Sequence, residues 1–150
     1  MADHNKAVEH LNDLLEKTYD AEAGYKKAAE EVEVPQLVNF FETKAKQRYD
    51  FGHEIKAEIK SLGGTPDKGG SVKGNLHRTW MNVKSALSLN DTEAILEECE
   101  RGEEASLKEY DEALADQSLP TSTRTLLQKQ RTRIVEALTS IDVKEEVYDD

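Results

Sequence analysis

The chain has 150 residues, 31 acids against 20 bases, and a formal net charge of −11. That excess argues against nucleic acid and anionic membrane as partners, since Lys26-Lys27 and Arg131-x-Arg133 are interrupted by acids or split between faces. No apolar run spans a bilayer, the start Met1-Ala2-Asp3-His4 lacks a secretory pattern, and the lone Cys99 forms no internal disulfide, so a cytoplasmic setting is expected.

Three prolines, eight glycines and 34% charged residues describe an all-α chain, large enough for one domain with its own core. A first helix is expected over about 5–32. Val8, Leu11, Leu15, Thr18, Glu22, Tyr25, Ala29 and Val32 alternate by three and four, drawing one seam with a glutamate inside it. Pro35 ends that helix and opens the second, over about 35–62. Its seam reads Phe41, Ala45, Arg48, Gly52, Ile55, Ile59 and Leu62. Gly63-Gly64 and Pro66 stop it, and a glycine-rich loop runs to Gly70.

A shorter helix is expected over about 72–87, with Leu76, Trp80, Val83 and Leu87 on one side and Trp80 as its anchor. Asn90 with Glu93 three residues on is a capping box, opening a helix over about 91–116. Its seam reads Thr92, Leu96, Cys99, Glu103, Ser106 or Leu107, Tyr110 and Leu114, again with a central glutamate. Leu119-Pro120-Thr121 breaks the chain before a last helix over about 120–145. An acidic tail, 147–150, is expected to fray.

The four long helices are each roughly 40 Å long, which suits a bundle. Short connections after the first and third force antiparallel neighbours, whereas the long second connection lets the chain travel back along the bundle. Up, down, long crossover, down, up is the ferritin-like order. Lys46-Gln47-Arg48 recurs as Lys129-Gln130-Arg131, a faint echo of two related hairpins.

Four stretches carry a more specific likeness: Tyr19-Asp20-Ala21-Glu22-Ala23-Gly24-Tyr25, Ser61-Leu62-Gly63-Gly64, Leu76-His77-Arg78-Thr79-Trp80-Met81-Asn82 and Glu98-Cys99-Glu100-Arg101-Gly102-Glu103. In this order, over about residues 5–142, the chain resembles a bacterial family of small ferritin-like four-helix-bundle proteins catalogued as a domain of unknown function. The resemblance implies that fold and a bacterial source, suggests a link to stress, and implies no settled activity.

A ferritin-like di-iron centre takes one Glu from each of two helices and a Glu-x-x-His from each of the others. Glu22 and Glu103 are candidates for the first pair. The second half is missing: Glu54-x-x-Ala57 and Glu136-x-x-Thr139 lack the imidazole. His53 points about 140° from Arg48, away from the core. The family pattern carries a His near the position of Leu138, and this chain departs there.

The seams instead offer Arg48 to face the glutamates, with Lys44 beside it and Gln130 opposite. The expectation is a buried polar network of Glu22, Arg48, Glu103, Gln130, Tyr25 and Tyr110, without a cofactor and without catalysis. The alternatives are iron bound by Glu22 and Glu103, with or without oxidase activity, and a small ligand held near the crossover helix. No Ser-His-Asp set, phosphate loop, paired-cysteine motif or dinucleotide fingerprint is present. Val38, Phe40 and Tyr49 widen the apolar face of the second helix beyond one seam, which points to a two-fold homodimer or to cover by the crossover helix.

Overall fold

A computed structural model describes residues 3–67 and 92–148. Among these residues every regular element is a helix: α1 (His4–Glu31), α2 (Pro35–Ser61), α3 (Thr92–Leu114) and α4 (Thr121–Tyr148). The expected helix over 72–87 with Trp80, and the Asn90 cap, lie outside the described residues. Helix α4 takes in Val147 and Tyr148, which the sequence reading had assigned to a frayed tail. Among the described residues no helix is long and apolar enough to cross a membrane.

Local chemistry sets the helix ends. The Asp3 side chain accepts from the Lys6 amide at 3.0 Å, capping α1. Pro35 occupies the first turn of α2, where its missing N–H costs nothing. At the other end Gly63 sits at φ 84°, and the amides of Gly63 and Gly64 donate back to the carbonyls of Lys60 and Ile59. This paired closure needs the left-handed conformation that glycine adopts without strain. Helix α2 in turn reaches the start of α4, where the Ser122 and Thr123 hydroxyls donate to the Glu58 carboxylate at 2.8 and 2.7 Å.

Two apolar clusters fill the interior. One joins Ala21, Tyr25 and Ala28 of α1, Leu37, Phe41 and Ala45 of α2, Ile95, Leu96 and Cys99 of α3, and Ile141 of α4. The other joins Ala7, Leu11 and Leu15, Phe51, Ile55 and Ile59, Tyr110 and Ala113, and Leu127 and Ile134. The end of α1 thus meets the starts of α2 and α3 and the end of α4. Helices α2 and α3 therefore run the same way, antiparallel to α1 and α4, and Ser61 and Thr92 lie at opposite ends. α1 packs mainly on α2, and α3 on α4, with α1 also touching α3 and α2 touching α4.

Candidate functional site

Between the two clusters the bundle carries a layer of polar side chains. Glu103, midway along α3, is fully buried, and Arg48, midway along α2, is 2% exposed. An Arg48 terminal nitrogen donates to Glu103 Oε2, and the Tyr25 hydroxyl of α1 donates to the same oxygen at 2.7 Å. The guanidinium carbon lies 5.8 Å from the Tyr25 ring centre and 5.3 Å from that of Phe51, so aromatic rings cover the cation. The pair is one-pronged: among the described residues Arg48 Nε and Glu103 Oε1 have no hydrogen-bond partner, nor does Ser106 Oγ one turn along α3.

A second set lies beside the first. The Tyr110 hydroxyl donates to Gln130 Oε1 at 2.6 Å. The Gln130 amide nitrogen donates to Glu54 Oε1 at 3.0 Å and to the Phe51 carbonyl at 3.4 Å. Gln130 therefore links the interior to an open groove of about 690 Å³ between α2 and α4, which Glu54, Lys129 and Arg133 also line.

Burial, then the Glu103 charge, pushes the Tyr25 phenol and the Cys99 thiol well above their ordinary pKa ranges. Burial raises Tyr110 too, against the pull of Arg48. For Arg48, burial acts against the charge, but Glu103 together with Tyr25 and Tyr110 outweighs it and the net shift is upward. Lys44, held against the Phe40 ring at 5.5 Å, is lowered by burial and by its neighbour Arg48. The phenols and the thiol are thus held in their protonated forms, which suits hydrogen-bond donation and packing, not nucleophilic attack.

Of the six residues expected together, Glu22 stands apart. Its side chain pairs with Lys26 at 2.8 Å and lines a groove between α1 and α2. From Thr18, Ala21 lies about 60° to one side and Glu22 about 40° to the other, so periodicity alone does not choose between them. Packing puts Ala21 in the core and leaves Glu22 at the solvent edge. Glu22 thus faces Lys26, while a guanidinium sits against Glu103. The inward residue of α4 in this layer is Gln130, while Glu136 is exposed. His53 is exposed, its ring edge-on to Tyr49 at 4.5 Å. Phe40 and Val38 pack against the core, which narrows the wide face of α2 to Tyr49, 52% exposed.

Two features were not read from the sequence. His10 Nε2 lies 3.0 Å from Asp116 Oδ2, and Asp116 also accepts from the Ser118 amide and hydroxyl, tying α1 to the α3–α4 turn. Its carboxyl is held far below the ordinary range, first by Ser118 and also by His10. The second is an acidic triad across the α3–α4 seam. Glu100, Asp142 and Glu145 place carboxylate oxygens within 4.8 Å of one another. Glu100 is pushed up to about 8, first by its hydrogen bond to Asp142, then by burial and by Glu145. Glu145 is also raised, by burial and then by Asp142 and Glu97.

The triad makes stability pH-dependent. A carboxyl titrating near 8 when folded and near 4.5 when unfolded holds an extra proton in the fold between those values. Its stabilising share is complete below about pH 4.5, declines as pH rises, and is gone above about 8. Urea midpoints measured from pH 5 to 8.5 are expected to fall with rising pH, and Asp142→Asn is expected to flatten that slope. An unchanged slope in the variant removes the triad as its source.

No curated protein matches the chain. The sequence model described as Domain of unknown function (DUF2383) matches residues 6–116, well over half of the 150, and the chain belongs to that family.

Proposed function

We propose that this chain is a ferritin-like bundle that works without interior chemistry, acting by association or as an accessory protein in bacterial physiology. The reading is carried by one observation: Arg48, a permanent cation, takes the mid-bundle place beside Glu103 while Glu22 turns to the surface. A guanidinium neutralises the remaining carboxylate, which is part of what metal ions do in a carboxylate bundle. The parallel run of α2 and α3, with Ser61 and Thr92 at opposite ends, supports the ferritin-like connection. The bacterial setting and the link to stress rest on the family resemblance.

Iron titration of protein purified without chelator tests this reading. The expected result is no stoichiometric iron in the bundle interior and no oxygen consumption. Iron that is lost in a Glu100→Gln/Asp142→Asn variant belongs to the surface triad and leaves the reading intact. Iron that persists in that variant, is lost in Glu103→Gln and consumes oxygen overturns it in favour of an oxidase. A thermal shift with metabolites but not with metals favours a small-ligand binder.

A further inference from the structure

We propose that the α1–α2 groove beside Tyr49 is the surface through which two copies of this chain pair about a two-fold axis. The inference rests on the reading that the bundle works through association, and it names the surface and the partner.

The groove encloses about 420 Å³, with Ala29 and Ala45 as small apolar residues and Tyr49 beside them. Tyr49 is the one large aromatic residue among the described residues that stands more than half exposed. Its ring is braced by His53 at 4.5 Å, so little side-chain freedom remains to be lost on contact. A braced tyrosine at the edge of a shallow slot, with two alanines between charged rims, is a feature of the kind that anchors many interfaces. The exposed valines of α4, Val135, Val143 and Val147, line none of the grooves described above.

The charges select a second copy as the occupant. Along α1 the groove edge reads Glu22, Lys26, and then an acid again at Glu30, one helical turn apart. Along α2 the same order begins again with Glu42 and Lys46, which line the same groove. Within the chain, Lys26 pairs with Glu22 at 2.8 Å and Lys46 with Asp50 at 3.3 Å. An acid–base–acid row is complementary to itself when reversed and shifted. A two-fold axis between Glu42 and Lys46 sets each lysine against the partner copy's glutamate, and the reverse contact follows by symmetry. An unrelated partner would need that alternation on two helices at once. Two helices roughly 40 Å long and 10 Å wide present about 800 Å² per copy, the area that a stable dimer uses.

The net charge of −11 opposes approach, so pairing strengthens as salt is raised towards physiological ionic strength. Sedimentation equilibrium of the full chain at that salt, across the micromolar range, is expected to give twice the 16.9 kDa monomer mass. Tyr49→Glu and Lys46→Asp are each expected to weaken the dimer at least roughly tenfold. Adding Glu42→Lys to Lys46→Asp restores the alternation and the dimer, while Val143→Glu on α4 changes nothing. Circular dichroism confirms that each variant folds. A monomer throughout, or a dimer indifferent to both Tyr49→Glu and Lys46→Asp, overturns the proposal. Iron titration of the same samples judges the other reading separately. A monomer without iron chemistry loses this surface alone, and a dimer that consumes oxygen with iron loses only the non-catalytic reading.

Discussion

Replacing Arg48 by Ala lowers folding stability by about 3–5 kcal/mol, because the fully buried Glu103 carboxylate loses its counter-ion. In the variant the Tyr25 hydroxyl remains as the donor to Oε2. In thermal melts the change amounts to a fall of roughly 10 °C for a chain of this size. Removing both partners has the opposite consequence. Arg48→Met with Glu103→Met leaves no charge to desolvate, and is expected to be neutral or more stable than the parent by about 1–4 kcal/mol. Urea unfolding of the single and double variants decides the matter. If Arg48→Ala costs no more than the removal of the exposed Lys46, the ion pair contributes little and the layer is held by packing alone.

The second large effect concerns the neighbouring set. Gln130→Leu leaves the Tyr110 hydroxyl without its acceptor at a fully buried position, which costs about 1–3 kcal/mol. Tyr110→Phe in the same background removes the orphaned hydroxyl and recovers much of that loss. The four proteins form a cycle whose coupling energy is expected at about 0.5–3 kcal/mol. Additive changes would show that Tyr110 and Gln130 do not act as a unit. Glu54 provides a control: it accepts from Gln130 but its side chain is 38% exposed, so Glu54→Gln is expected to cost well under half as much.

Sequence periodicity located the four long helices because each must bury one stripe, and apolar residues at three- and four-residue steps declare it. It also marked inward polar positions at Arg48, Glu103 and Gln130, since each interrupts an apolar seam without shifting it. It failed at Glu22, where Ala21 and Glu22 flank the seam almost equally and only the placement of α2 and α3 selects between them. The same limit applies to His10 with Asp116 and to Glu100 with Asp142 and Glu145. Those residues lie on separate helices or turns, and nothing in their own neighbourhoods signals the partner.

What this sequence determined by itself is therefore local: an all-helical chain, the helix stops at Val32 and Gly63, and the polar interruptions within the apolar stripes. Its acid excess is equally plain from composition. The tertiary structure decided the rest: which carboxylate turned inward, that one guanidinium serves Glu103, and which acids meet across α3 and α4. The physical reason is that helix periodicity fixes a face only to within about one residue's rotation. Electrostatic pairing depends on distances of a few ångströms between atoms of different helices, and packing alone sets those.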